Sequence, residues 1–327
     1  NANCEYNADT TVTGSVTNES DNCSTGIEAT YTDDTVADAT CEGKKVITRT
    51  WSLVDNCGNS AADQVQTITV LDTIRPTFTR PADTTIYADA SCGYNADTTV
   101  TGSVTNESDN CSTGINATYS DAIADGDCAG KKIITRTWSL ADKCGNAAET
   151  QVQTITVLDT TAPTITCSDN FTQNTDNGKP YATVTLLDPI PVDNCSATYS
   201  ISYSPATPTN ATETNASGQY PLGVTIVTYS VEDGCGNANS CSFTVTVTDD
   251  EDPVISCPPS LTVACETDTL PVLTTYAAFV AEGGEAMDND GIDTSSFRLS
   301  GYSKVGTCPT TITRTYYIAD MIGNSAT

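Results

Sequence analysis

Residues 6–27 read YNADTTVTGSVTNESDNCSTGI, and the same string returns unchanged at residues 94–115, 88 positions later. A second block, GKKVITRTWSLVDNCGN from Gly43, comes back as GKKIITRTWSLADKCGN from Gly130, 87 positions on. A chain that repeats at this period is built from tandem units shorter than an average domain, and recent duplication is the simplest cause. Two weaker copies follow. In one, over 163–249, VTYSVEDGCGN stands where TWSLVDNCGN stood; the other, from Pro253, closes the chain on ITRTYYIADMIGN. The first three copies end on QTITVLDTIRP, QTITVLDTTAP and FTVTVTDDEDP, where the proline after the aspartate marks a linker. Domains are expected over 1–73, 74–160, 161–250 and 251–327. Copy one opens without a preceding strand and copy four stops after its GN turn, so the 327 residues read as a window from a longer array.

Within a copy the hydrophobic signal has period two. Ile47, Arg49, Trp51 and Leu53 fall on one face of a run whose other face is Thr48, Thr50 and Ser52, the pattern of a half-buried strand. Short Thr/Val/Ile/Tyr runs alternate with Asp/Asn/Gly/Ser turns over each copy and predict an all-β, two-sheet sandwich. No helical pattern of useful length appears.

Composition then removes several functions. With 42 Asp+Glu against 13 Lys+Arg the net charge is −29, the wrong sign for holding nucleic acid. Without histidine, serine triads, cysteine–histidine dyads and His-ligated metal sites are excluded. There is no apolar run long enough for a membrane span and no leader-like start, so the segment reads as mature, soluble and acidic. Fifteen cysteines placed singly suit a disulfide framework better than zinc ribbons, which predicts an extracellular location.

The third copy carries PTITC at Pro163, DNC at Asp193, YPLGVTIVTYSVEDGCGN at Tyr220 and SCSFTVTVTD to Asp249. It resembles the HYR (hyalin repeat) family of immunoglobulin-like modules, and DPVISCPP at Asp252 looks like the opening of another. The remaining copies, with ITRTW or ITRTY followed by a D-x-x-GN turn, resemble repeats of giant Bacteroidetes surface adhesins and gliding filaments exported by the type IX system. The resemblance implies tandem immunoglobulin-like sandwiches in a head-to-tail rod and says little about a ligand.

That topology implies a pairing for the cysteines. It puts Cys23 in the B–C loop and Cys57 in the F–G loop at one pole, and Cys4 and Cys41 at the other. The implied bonds are Cys23–Cys57 and Cys4–Cys41, then Cys111–Cys144 and Cys92–Cys128 in copy two. Copy three would hold Cys195–Cys235 and Cys167–Cys241. Copy four has AMDND and DMIGN where DNC and DNCGN stood, so both members of the first pair vanish together. It keeps Cys265–Cys308, and its Cys257 matches Cys167.

Aspartates recur at the same pole: Asp21, Asp109, Asp193 and Asp288 in the B–C loop, and Asp55, Asp142, Asp233 and Asp320 in the F–G loop. The second set is followed by Asn59, Asn146, Asn237 and Asn324. In head-to-tail order the pole meets the preceding linker, with Asp72, Asp159 or the run Asp249, Asp250 and Asp252. Hard oxygen donors without nitrogen or sulfur select Ca²⁺. The expected ligands are Asp72, Asp109, Asp142 and Asn146; Asp159, Asp193, Asp233 and Asn237; and Asp250, Asp252, Asp288 and Asp320. The competing account is that Asp and Asn in turns cap the backbone. A glycosidase pair fits poorly, because the carboxylates repeat in every copy.

Arg49, Arg136 and Arg314 recur on the Trp/Tyr face, either as a glycan platform or, as favoured here, covering the aromatic and pairing with an aspartate such as Asp33 or Asp121. Asn18, Asn106, Asn116, Asn170, Asn210 and Asn215 lie in N-glycosylation sequons. The Bacteroidetes resemblance points instead to O-glycan acceptors at Thr10, Thr35, Thr73, Thr84, Thr98, Thr160 and Thr269. The sequence thus predicts a non-catalytic stalk or filament segment of a cell-surface adhesin, with glycan- or polysaccharide-binding modules as the alternative. Its expected partners are further repeats of the same chain, other copies in a fibre and surface glycans.

Overall fold

The ITRTW run is a strand in both copies that carry it, and its alternation is read out as burial. In the computed structural model, which describes residues 1–264, 266–307 and 309–327, Ile47, Arg49 and Trp51 are buried while Thr48 is exposed. Ile134, Arg136 and Trp138 repeat the arrangement. The chain divides into two units, Asn1–Thr160 and Thr161–Thr327.

In the first unit, β1 (Thr30–Ala37), β2 (Lys45–Ser52) and β3 (Gln64–Val70) form an antiparallel sheet in the order β1-β2-β3. There follow β4 (Thr77–Thr79), β5 (Thr84–Tyr87), β6 (Thr105–Ser108), β7 (Thr118–Asp125), β8 (Lys132–Ser139) and β9 (Gln151–Leu158). Their main sheet runs β5-β9-β8-β7, with β5 parallel to β9 and the other pairs antiparallel. The β4-β6 pair forms a second layer, where Phe78 packs on Trp138 and Leu140. An early strand, β5, lying parallel to the last in an otherwise antiparallel two-layer sandwich is an immunoglobulin-like arrangement.

Threonine and valine favour strands, yet TTVT forms a single helical turn twice, α1 (Thr10–Thr13) and α2 (Thr98–Thr101). At α1 the Asp9 carboxylate accepts the Thr11 amide at 2.8 Å, a local bond that outcompetes pairing in a ladder. These turns dock on the buried arginine. Arg136 gives Nε and Nη2 to the two oxygens of Asp121, both at 2.8 Å, Nη1 to Thr101 Oγ1 at 2.7 Å and Nη2 to the Ala96 carbonyl at 2.7 Å. Its guanidinium lies 4.0 Å from the centre of the Tyr119 ring. Arg49 makes the same fork on Asp33 and stacks on Tyr31. The expected structural pair is therefore present in both copies.

The second unit contains β10 (Phe171–Asn174), β11 (Tyr181–Val184), β12 (Ala197–Ser204), β13 (Gly218–Pro221), β14 (Gly223–Asp233) and β15 (Ala238–Thr248). Its sheet runs β10-β15-β14-β12, again with the first strand parallel to the last, and faces β11-β13 across a core of Ile201, Tyr220, Val227, Tyr229, Phe243 and Val245. Val227 occupies the arginine's place and is fully buried. Then come β16 (Val254–Ser256), α3 (Tyr276–Ala281), β17 (Glu285–Met287), β18 (Ile292–Val305), β19 (Thr311–Asp320) and β20 (Ser325–Ala326). The third helix, not anticipated from the sequence, is capped by the Thr275 hydroxyl and inserts Phe279 among Phe297, Tyr316 and Ile318. Among the described residues Arg314 has no aspartate partner; it donates to the Pro271 carbonyl at 3.1 Å. No helix among the described residues is long and apolar enough to cross a membrane.

Candidate metal centres

Each DNC loop is folded by its own aspartate. Asp109 Oδ2 accepts the amides of Cys111 and Ser112 at 2.8 and 2.7 Å. In the DKCGN turn, Asp142 Oδ1 accepts the amides of Cys144 and Asn146 at 2.9 and 2.7 Å, and Oδ2 takes the Asn146 side-chain amide at 2.6 Å. Backbone capping thus accounts for part of the Asp and Asn content, as the competing account held.

Capping does not account for the rest. Asp72, Asp109 and Asp142 bring carboxylate oxygens within 4.8 Å of one another. Asp72 Oδ2, Asp109 Oδ1 and Asn110 Oδ1 are buried there without a hydrogen-bond donor. Each such atom costs roughly 1–3 kcal/mol, and the converging charges repel. A hard divalent cation relieves both penalties, and water would complete the coordination sphere. Asn146 contributes through its side-chain amide. Its Nδ2 donates to the Asp72 carbonyl at 3.1 Å, so it ties the linker to the pole.

The second unit repeats the design with more charge: Asp249, Asp288, Asp290 and Asp320 converge within the same limit. Asp249 and Asp320 are 6% and 2% exposed, and each aims an unpartnered Oδ2 inward, as do both oxygens of Asp290 and Oδ1 of Asn289. Asn324 donates to the Asp249 carbonyl at 3.3 Å, the counterpart of Asn146 on Asp72. Burial pushes the Asp290 carboxyl up to about 6, helped by a carboxyl–carboxyl contact with Asp288 and the charges of Asp320, Asp288 and Asp249. At Asp249 burial also pushes up, but hydrogen bonds from Asn289, the Glu251 amide and Thr175 outweigh it and hold this carboxyl below the usual range. The linker carboxylate that joins this cluster is Asp249, in place of the expected Asp250 and Asp252. Asp250 accepts from the exposed side of Asn174, and Asp252 accepts the Ser325 amide at 3.3 Å.

At the third pole Asp193 Oδ2 accepts the amides of Cys195 and Ser196, both at 2.9 Å, and leaves Oδ1 without a donor. Asp233 accepts the amides of Cys235 and Asn237 and the Asn237 side chain. Asp159, buried beyond β9, belongs to the first unit.

The disulfides correct the implied pairing. Cys4 is joined to Cys111 and Cys41 to Cys144, so Cys4–Cys41 and Cys111–Cys144 do not form. Cys23 and Cys57 are both free and exposed. The physical reason is that the base of copy one rests on the pole of copy two. Asn110 donates to the Asn1 carbonyl at 3.1 Å, the Thr113 amide donates to Glu42 at 2.7 Å, and Lys143 pairs with Glu42. Each thiol at the base thereby meets a thiol of the following copy. Cys167 is joined to Cys241 within the second unit, as implied. Cys92, Cys128, Cys195 and Cys235 are also disulfide-bonded. Cys257 is free, and Cys265 and Cys308 lie outside the described residues. Of the threonines expected as O-glycan acceptors, Thr35, Thr73 and Thr160 are exposed, while Thr10, Thr84, Thr98 and Thr269 are half-buried.

Sequence reasoning missed Asn110, Asn289 and Asp290. The signal was the middle residue of DNC and its replacement DND in copy four.

Over 196 residues the chain is 30% identical to hyalin of Strongylocentrotus purpuratus, covering 57% of this chain and 15% of that one. Over 190 residues it is 34% identical to hyalin of Lytechinus variegatus, covering 56% and 32%. The chain thus spans a third or less of the length of these relatives. Among solved structures, extracellular cadherin domains 1–4 of protocadherin gamma B7 align over 90% of this chain and 84% of theirs, at 13% identity and a TM-score of 0.33. Residues 158–247 match the family model of the HYR domain, and this chain is similar to the hyalins.

Proposed function

We propose that the chain is a non-catalytic structural segment of a large extracellular adhesion protein, its copies fastened by disulfides and stiffened by Ca²⁺ where a linker meets the next pole. The observation that carries this reading is the pair of carboxylate clusters, each made of a linker aspartate and two loops, with buried oxygens left without donors. The hyalin likeness supports the extracellular adhesive setting. The ITRTW strands and D-x-x-GN turns support a giant bacterial surface adhesin as the parent protein. Both tryptophans are buried, at 7% and 3% exposure, which favours a structural segment over a glycan platform. Exposed Thr35, Thr73 and Thr160 are the acceptors we assign to O-glycans.

Calorimetric titration of Ca²⁺ into chelator-stripped protein tests the reading. Binding is expected near 10⁻⁴ M, with Mg²⁺ a poor substitute because its octahedral demand suits these crowded carboxylates badly. Asp142→Asn and Asp320→Asn should each weaken it, and Ca²⁺ should slow proteolysis at residues 71–76. Absence of binding at several millimolar Ca²⁺ would refute the calcium role.

A further inference from the structure

The pole of copy one is the same object as the pole of copy two, without its cover. Asp21 Oδ2 accepts the amides of Cys23 and Ser24, both at 2.8 Å, as Asp109 does for Cys111 and Ser112. Asp55 accepts the amides of Cys57 and Asn59 at 2.8 and 2.7 Å and the Asn59 side chain at 2.7 Å, as Asp142 does one copy later. The Asn56 amide donates to Ser24 Oγ as the Lys143 amide donates to Ser112 Oγ. The loops that receive Cys4 and Cys41 in copy two are therefore preformed in copy one. The difference lies in exposure: Asp21, Cys23, Cys57 and Asn59 are exposed, whereas Asp109, Cys111, Cys144 and Asn146 are half-buried and Asp142 is buried.

We propose that this pole is a covalent docking surface whose occupant is the base of another repeat of this kind. That base carries the counterparts of Cys4, Cys41, Glu42 and Asp72. The two thiols are addressed individually: the Cys4 counterpart bonds Cys23 and the Cys41 counterpart bonds Cys57, because Cys111 and Cys144 stand in those places at the occupied pole. The incoming linker aspartate joins Asp21 and Asp55 as Asp72 joins Asp109 and Asp142. Each bond forms by exchange with a small disulfide such as oxidised glutathione. Two thiols give up two protons and two electrons as their S–S bond forms, and the oxidant's S–S bond takes them and leaves as two thiols. This extends the structural-segment reading by naming the partner of the free pole.

The test is an elongated chain in which residues 1–88 are repeated directly ahead of Asn1, so that the added copy stands to copy one as copy one stands to copy two. It is refolded with reduced and oxidised glutathione, digested without reduction and mapped beside the original chain. In the original, Cys23 and Cys57 should take up iodoacetamide without reductant. In the elongated chain both should be protected and recovered joined to the added counterparts of Cys4 and Cys41 respectively. Cys4–Cys111 and Cys41–Cys144 in the same digest report that the chain has folded. Replacing the two added cysteines with serine should restore labelling. A Cys23–Cys57 bond, a crossed pairing or continued labelling with the internal pairs intact would overturn the proposal. Such a failure with Ca²⁺ binding retained would leave the structural-segment reading standing; loss of Ca²⁺ binding would count against that reading instead.

Discussion

Gly43 lies against Asp72 with no room between them: a Cβ added at the glycine would sit 2.5 Å from Asp72 Cβ, and 3.0 Å from the Cys111 sulfur. This glycine of the GKK motif thus sets how closely the base of copy one approaches the following pole, and with it the placing of the linker carboxylate and one disulfide.

Gly43→Ala should therefore destabilise the first unit by about 1–3 kcal/mol, the usual cost of overpacking a tight contact. It should also lower the yield of Cys4–Cys111. Chemical denaturation followed by tryptophan fluorescence, with non-reducing peptide mapping, checks both. A variant of unchanged stability with full Cys4–Cys111 bonding would show that the approach is loose.

Arg136 is 1% exposed and donates four hydrogen bonds within the sandwich. Arg136→Leu strands the Asp121 carboxylate and the Ala96 carbonyl, and should cost about 3–5 kcal/mol. Copy three uses Val227 opposite Tyr203 and has neither charge. Arg136→Val with Asp121→Tyr should accordingly recover much of the loss. Recovery of nothing in the double variant would mean that the arginine's bonds to α2 and its flank, and not its pairing with Asp121, carry the stability.

The strands were legible because period two is a property of the chain itself, and the Arg–Asp pairs because strand register follows from it. The poles were legible for a related reason: Asp-x-Cys and Asp-x-x-Gly-Asn fold by local hydrogen bonds that need no tertiary context. What was hidden depends on how one copy meets the next. Cys4 pairs with Cys41 or Cys111 equally well on paper, and only the position of copy two's loops brings the second within bonding reach. The same holds for Asp249 over Asp250, since both lie in the linker just past β15 and local pattern does not say which of them the next pole will cover. TTVT misleads for a different reason: its strand propensity yields to an aspartate cap before it and Gly14 after it, at φ 85°.

Cys41→Ser with Cys144→Ser removes one of the two described bonds between copies one and two and should lower stability by about 2–4 kcal/mol, the typical range for a disulfide. The β5-β9-β8-β7 sheet holds neither cysteine, so the near-ultraviolet tryptophan signal should stay native. Calcium affinity at Asp72, Asp109 and Asp142 should fall, because the disulfide helps keep Asp72 in place before the ion arrives. Unchanged affinity would mean that the hydrogen bonds of Asn110 and Asn146 alone hold the linker.

The last prediction concerns pH at the site of Asp249, Asp288, Asp290 and Asp320. Asp290 titrates near 6 in the fold, chiefly through burial, against roughly 3.9 in an unfolded chain. A raised folded value contributes stability that is fully present below about pH 4 and is lost as pH rises through about 6. Without a cation, this group therefore makes the second unit less stable at pH 7 than at pH 4. Calcium should reverse the sign, because a bound cation would favour the deprotonated carboxylate and displace the proton. Its affinity should be flat above about pH 6.5 and fall by up to tenfold per pH unit below 6, about 1.4 kcal/mol for each. Calorimetry at pH 5, 6 and 7 in buffers of different ionisation enthalpy would show both the weakening and the released proton. Asp290→Asn removes the titrating group and should flatten the profile at the cost of some affinity. Equal affinity at pH 5 and 7 in the unaltered protein would mean that Asp290 takes no part in holding the ion.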